Sequence, residues 1–483
     1  MEPMSGIDAK FLYSETPTAH MHTIKVVVAD VSSMPDGFSY GLFVDTLGSQ
    51  LGRLPLFRRR AVMVPLSLGH PVWVEDPGFD LGNHLSRRTV RAPGTLRDLA
   101  VEVGAIAGVP LRRDRPLWEM VVVEGLEGGR MAVVAKVHHA VADGTATVAM
   151  LRNIVQGLGE AELEPPVDHW YPESIPGRRE LLRRAVGEHR ARLRDVPDLV
   201  RRTVRGARSS ESQRRGSTVR PPLPLQTPRT SLNVSLSADR TFAMTTLSMA
   251  ELRSVRQAQG TTLNDVYLAV CAGAVRRYLA DRGERPDRSL VASVPVSIDP
   301  DAARLSGNRV DNLYVTIGTD IDDPLERLQH CHAVVLASKA VRSALGNDLM
   351  ERRAEVLPPQ LYQSTLRLWS RTGLADRVRP PINLVISNVA GPREPIRFGP
   401  IALDALYSVG PILEGIGLNL TAWSYVDGLH VSALGCSASL PDPWSVVDRL
   451  HDALAELVAA SEAAPRRPGA DPTTSSIEPK VRK

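Results

Sequence analysis

The sequence is poor in several things, and each shortage narrows the reading. Three cysteines stand among 483 residues, Cys271, Cys331 and Cys436, far apart and at no metal or redox spacing. An odd, low number suits a reducing compartment. No run of about eighteen apolar residues occurs, so no transmembrane helix is expected and a membrane role would be peripheral. Residues Met1 to Lys10 lack the charged-then-apolar order of a secretory signal, which sets the expectation of a cytoplasmic protein. No dinucleotide or Walker fingerprint appears. No His, Cys and carboxylate set has zinc spacing, so operation without a metal is expected. Lysine is rare, and arginine carries most of the positive charge.

What is present divides the chain. Its length exceeds one ordinary core and suits two domains, and a hydrophobic content of 43 % is enough to fill them. Residues 1–160 and 231–462 alternate strand-like and helix-like patterns. Residues 161–230 differ: Pro165-Pro166 opens the segment and Pro221-Pro222-Leu-Pro224 comes near its close. Between Arg178 and Arg220 there are fourteen Arg and five Asp or Glu, a net +9 in a chain of net +4, so the basic balance is local to this linker. Leu181, Leu182, Ala185, Val186 and Leu193 recur at helical spacing among Arg183, Arg184, Arg190 and Arg192. Such a basic amphipathic helix reads as a membrane-surface segment or as a solvated connector. Nucleic acid is disfavoured, because no aromatics are interleaved for base stacking. Residues 463–483, rich in Pro, Ser and charge, read as a disordered tail.

The chemistry concentrates in Lys136-Val-His138-His139-Ala-Val-Ala-Asp143-Gly144. Met131 to Val137 reads as a buried strand. Val148, Leu151, Val155 and Leu158 then fall on one helical face. The His pair therefore ends a strand, and Asp143-Gly144 begins a helix. A neutral imidazole there can take a proton from a hydroxyl and return it to a leaving group. Adjacent strand residues face opposite ways, so at most one histidine meets the reacting atoms. Each residue alone also has a structural reading: Asp143 is a good helix N-cap, and Gly144 relaxes a turn. Four fixed residues in seven should arise by chance in roughly one protein in a thousand of this length.

HHAVADG matches the HHxxxDG signature of the CoA-dependent acyltransferase superfamily. Further stretches narrow the resemblance: Pro116-Leu117-Trp118-Glu119, Leu263-Asn264-Asp265-Val266, Ser387-Asn388-Val389-Ala390-Gly391-Pro392, and Ile7-Asp8-Ala9 through Glu15-Thr16-Pro17 to Met21-His22. Together these resemble the bacterial wax ester synthase/diacylglycerol acyltransferase family from about residue 4 to about residue 460. The resemblance implies an α/β fold of two chloramphenicol acetyltransferase-like domains with mixed sheets and an active-site channel between them. It implies acyl-CoA as co-substrate, no cofactor, and diacylglycerol or a long-chain alcohol as acceptor, with attachment to a membrane or lipid-droplet surface. His139 would be the general base and His138 would shape the turn. Asp143 would hold the loop through a charge pair, with Gly144 beside it. Asn264 or Asp265 would orient groups across the interface from His139. Ser387 and Asn388 are candidates for holding the oxyanion. An acyltransferase for another lipid, and a catalytically weak neutral-lipid-binding protein, are the competing readings.

Overall fold

The structure is a computed structural model that describes residues 1–465 except 33, 35–36, 162, 165, 169, 218, 223–225, 299–302, 346–348 and 357. The expected disordered tail lies outside the described residues from residue 466 onward. So do the side chains of residues 189–194, including Arg190, Arg192 and Leu193 of the amphipathic pattern.

Strands rich in Val, Ile and Ala assemble two large mixed sheets, because β-branched side chains pack well on a pleated surface. The first has seven strands in the order Leu85–Thr89, Trp118–Leu126, Arg130–His138, His22–Asp30, Ile401–Val409, Ile396–Phe398, Gln156–Gly157. The second has six, in the order Val310–Thr316, Val291–Ser297, Leu384–Ala390, Asn419–Tyr425, Gly428–Gly435, Thr241–Ser248. A small third sheet joins Glu2–Pro3, Val72–Glu75 and Arg59–Val62. The α/β architecture of two sheet-rich halves is the one expected.

The halves are not contiguous in sequence. Ile401–Val409 leaves the C-terminal half and pairs antiparallel with His22–Asp30, with Ser408 opposite Lys25 and Val409 opposite Ile24. The strand Arg130–His138 pairs on the other side of His22–Asp30, with His138 opposite His22. The strand that ends in the His pair is thus central in a sheet closed by the other half. Beneath the second sheet the helix Leu263–Asp281 is buried along most of its length, against the helices Pro324–Leu345 and Trp444–Ala463.

Val234 to Leu236, strand-like in composition, is irregular. The Asn233 amide, bonded to the carbonyls of Asn383 and Gly415, fixes the chain there instead of a ladder. Within the basic segment one helix spans Arg178–Gly216 and continues through Pro197. Leu181 and Ala185 pack on Val72 and Val74 of the small sheet and on Val64 just beyond it, so this part of the apolar stripe is covered by protein. Farther along, Ser210 Oγ donates to the Val341 carbonyl. None of the described helices is long and apolar enough to cross a membrane.

Candidate active site

The loop after the strand Arg130–His138 is short and fully tied down. The His139 N–H donates to the Met21 carbonyl at 2.7 Å, and Val141 N–H donates to the His138 carbonyl at 2.9 Å. Asp143 caps the helix Gly144–Ile154 by accepting from Ala146 N–H at 2.8 Å. Its other oxygen accepts from Arg304 Nη2 at 2.7 Å and from Arg309 N–H at 2.8 Å. The Asp143 carboxylate is fully buried, and its spent oxygens make it a clamp between the motif loop and residues 304–309. That loop is further stitched by Gly307 N–H donating to the Val141 carbonyl. Gly307 has φ +76, and a Cβ there would sit 3.2 Å from Asp8 Oδ2, so glycine suits both the backbone and the space.

The two histidines are held in opposite tautomers. His138 Nδ1 accepts from the Ala140 N–H at 3.0 Å, so its proton is on Nε2, which donates to Glu15 Oε1 at 3.0 Å. Both nitrogens of His138 are occupied. Burial pushes the Glu15 carboxyl up, but the hydrogen bond from His138 and the Arg113 guanidinium outweigh it and hold it below the usual carboxylate range.

His139 is placed by Asn308. The Asn308 Nδ2 donates to Asp8 Oδ1 and to the His139 carbonyl, each at 2.7 Å. Both of those partners are acceptors, which fixes the amide orientation and leaves Oδ1 facing His139 Nδ1 at 3.0 Å. The proton of His139 therefore sits on Nδ1, and Nε2 carries the lone pair, with no protein partner among the described residues. Phe11 stacks on the ring, centroids 4.1 Å apart and planes 5° from parallel, which holds its orientation. Burial, and after it the Lys25 charge, lower the His139 pKa to about 4, so the imidazole is neutral near pH 7. Burial raises Asp8 to about 6, against the hydrogen bonds of Asn308 and Ser5, so it is mostly ionised there. The chain carboxylate–amide–imidazole can stabilise an imidazolium as it forms.

An apolar cavity lies along the strand that leads into this base. Met131, Val133, Ala135 and Val137, alternate residues of one strand face, line it, and Val137 is two residues before His139. Phe43 and Leu47 of the helix Tyr40–Gln50, and Leu54 shortly after it, also line it.

The other expected residues fall at two distances from this centre. Gly144 abuts the end of the strand Leu384–Ala390: a Cβ on it would meet Val389 at 3.2 Å, one residue beyond Asn388. Ser387 and Asn388, half-buried, thus lie on the strand that touches the motif helix. Asn264 and Asp265 open the helix Leu263–Asp281. Asp265 forms a capping box with Thr262, and its Oδ2 accepts from His332 Nδ1 at 2.7 Å. The bonds of Asp265 are to Thr262 and His332 and not to His139. Trp118 is core, stacked between Phe57 and His84, with its indole N–H on the Phe57 carbonyl. Arg58 and Arg59 are paired with Asp168 and with Glu2 and Glu75. Nothing in the local sequence around Asn308 marks it as part of the site. Only the three-dimensional return of the chain, 169 residues after His139, reveals it. Among the described residues no group of three His, Cys, Asp or Glu could hold a metal ion.

The two halves, the strand exchanged between them and the His-ended strand define the fold shared by CoA-dependent acyltransferases and peptide-synthetase condensation domains. The first condensation domain of the CDA synthetase superposes with a TM-score of 0.53 at 15 % identity, covering 96 % of this chain and 97 % of that one, a likeness of fold. The pattern that defines the wax ester synthase/diacylglycerol acyltransferase catalytic domain matches residues 4–267, and that of the WS/DGAT C-terminal domain matches residues 306–458. The chain belongs to the wax ester synthase/diacylglycerol acyltransferase family. It is 39 % identical over 446 residues to the Mycobacterium tuberculosis (strain H37Rv) protein named "Putative diacyglycerol O-acyltransferase Rv0221", with 92 % of this chain and 93 % of that one covered. The protein named "Putative diacyglycerol O-acyltransferase Rv3087" of the same strain is 36 % identical, with 96 % and 98 % covered. The solved wax ester synthase/diacylglycerol acyltransferase from Marinobacter aquaeolei VT8 superposes with a TM-score of 0.65 at 25 % identity, covering 95 % of this chain and all of that one.

Proposed function

We propose that the chain transfers a long-chain acyl group from acyl-CoA to diacylglycerol, giving triacylglycerol, and takes long-chain alcohols as second acceptors, giving wax esters. The observation that carries the reading is the His139 ring, locked with its proton on Nδ1 and its lone pair on Nε2, two residues after Val137 in the wall of an apolar cavity. Nε2 takes the proton of the acceptor hydroxyl as the oxygen attacks the thioester carbon. The tetrahedral intermediate collapses, the C–S bond breaks, and CoA leaves with the proton. No acyl-enzyme is needed, and acyl-CoA is a co-substrate with no further cofactor. The cavity takes the acyl chain, at about 0.8 kcal/mol for each methylene withdrawn from water. This reading gives Ser387 and Asn388 the oxyanion, since they supply hydrogen-bond donors on the strand that abuts Gly144.

The same reading puts the protein on the cytoplasmic face of a membrane or on a lipid droplet. Two features support it. The turn Pro65–Ser67 presents Leu66, 70 % exposed, and packs beside the basic helix. That helix exposes Val200 and Val204 among Arg201, Arg202, Arg205 and Arg208. Each basic group near an anionic surface contributes about 1 kcal/mol, lost as salt screens it.

The test is CoA release from palmitoyl-CoA with diacylglycerol and hexadecanol supplied separately. Wild type should release CoA in an acceptor-dependent way, and His139→Ala should lose about 10²–10⁴-fold. Folded wild-type protein that releases CoA with neither alcohol would overturn the reading. Neutral-lipid binding that survives His139→Ala without turnover would fit a lipid-binding surface protein instead.

A further inference from the structure

The cavity wall contains one residue that an acyl chain does not call for. On the strand His22–Asp30, Ile24, Val26 and Val28 are buried on one face, while Lys25, Val27 and Ala29 line the cavity on the other. Among the residues lining the cavity, Lys25 is the one basic side chain, in a chain where lysine is rare. Its Nζ donates to Ser408 Oγ at 2.8 Å and lies 5.7 Å from the centre of the Trp423 ring. An ammonium has three donors, and this one spends a single donor on a neutral hydroxyl. Asp143 attracts it from a distance, but that carboxylate is bonded to Arg304, Arg309 and Ala146. A buried ammonium without a carboxylate at hydrogen-bond distance is unfavourable and invites an anion.

The register fixes where in the cavity this cation stands. Lys25 is opposite Ala135 on one side and Ser408 on the other, and Ala135 is opposite Met120. Ala29, Met131 and Leu403 form the corresponding row four residues away, about 13 Å along the strands. Lys25 therefore marks the end nearer His139, and the far end is lined by Leu403, Ile401 and Phe398 without charge. One ammonium and one hydroxyl at the head of a long apolar cavity match an amphiphile with one negative charge and an alkyl tail.

We infer that the cavity is a binding site for a free long-chain fatty acid, its carboxylate on Lys25 Nζ and Ser408 Oγ and its chain running toward Phe398. Neither a thioester nor an alcohol brings a carboxylate to this ammonium; a fatty acid does. This inference rests on the reading that the cavity takes an alkyl chain. Since both ligands need the same space, a free fatty acid excludes the acyl chain of acyl-CoA and acts as a competitive inhibitor.

The test is calorimetric titration of the full chain with sodium palmitate and, separately, with hexadecanol, both below their aggregation limits. Wild type should bind palmitate at least about tenfold more tightly than hexadecanol, the difference a charge-assisted hydrogen bond supplies. Lys25→Met, which keeps an unbranched chain of similar length, should lose about tenfold or more in palmitate affinity and hold hexadecanol affinity within about threefold. Equal affinities in wild type, or palmitate affinity unchanged in Lys25→Met, would overturn the inference. The wild-type comparison needs no variant, so a misfolded Lys25→Met leaves the test intact. Palmitate binding does not depend on turnover. Lys25-dependent binding by a protein that acylates neither alcohol would sink the transferase reading alone. Acceptor-dependent turnover by a protein that does not prefer palmitate would sink this inference alone.

Discussion

Replacing Asn308 with alanine separates the two things that residue does. Its amide bridges Asp8, the His139 carbonyl and the His139 ring, so the substitution removes three hydrogen bonds at once. One is to an ionised carboxylate, worth about 1.5–3 kcal/mol, and the others leave the His139 carbonyl and ring N–H without that partner. A stability loss of about 2–4 kcal/mol follows. The catalytic loss has a different origin. Without Oδ1 at Nδ1, the His139 proton is free to sit on either nitrogen and the ring is held only by Phe11. Supporting partners of this kind are worth about 10–100-fold in activity, or about 1.4–2.8 kcal/mol of transition-state stabilisation.

The assay is kcat and KM for palmitoyl-CoA at saturating acceptor, on protein shown to be folded by calorimetry, between about pH 6.5 and 7.5. In that window His139, held near pH 4 by burial, is already neutral in wild type. The Asn308 hydrogen bond raises the His139 pKa, so removing it lowers that pKa further and cannot bring a protonation loss into the window. The expected result is a fall in kcat with little change in KM that persists at the upper end of the window; losing the Asn308 hydrogen bonds also raises Asp8 above about 6, which deepens the loss at the lower end. A folded Asn308→Ala protein with kcat within about twofold of wild type would refute the tautomer argument. So would a loss that vanishes as the pH rises, which would mark a charge effect.

Other substitutions test the frame around this site. Asp143→Asn breaks the buried pair with Arg304 and should cost about 3–5 kcal/mol, read as a lower unfolding transition. Arg304→Met added to it should recover part of that loss, and an additive double variant would refute the pairing. Gly391→Ala should destabilise by several kcal/mol, since its Cβ would fall 2.2 Å from the Ser424 carbonyl and from the Trp423 ring nitrogen. Near-wild-type thermal stability would show that this segment can move away. Prolonged treatment with a strong chelator should leave CoA release unchanged, because the proposed proton transfer uses only His139; lost turnover restored by a divalent metal would overturn the metal-free chemistry.

Much of the local structure could be read because local rules decide it. Alternation at Met131 to Val137 gives the strand, and Asp143 is the cap its residue type suggests; helical spacing gives the helix at Val148 and Leu151, but it ends at Ile154, where Val155 turns extended into the short strand Gln156–Gly157, so Val155 and Leu158 fall outside it. Thr262 and Asp265 form the capping box their spacing allows. Pro197 signals a break, yet the helix Arg178–Gly216 runs through it, anchored near its start on the small sheet and farther on at Val341. Here tertiary contacts outweigh the cost of one missing backbone hydrogen bond. Asn308 and Lys25 were not legible, since each acquires meaning from partners more than a hundred residues away.

The exchanged strand explains why a site of this kind is built across two halves. Ile401–Val409 brings Ser408 beside Lys25, and Leu403 and Ile401 to the far end of the cavity, so the C-terminal half completes a cavity begun by the first sheet. Residues 304–309 do the same at the base: they clamp Asp143 through Arg304 and Arg309 and orient His139 through Asn308. Neither half alone therefore holds an oriented base or a closed cavity. If the halves separate, the imidazole loses its tautomer partner and the cavity loses a wall together.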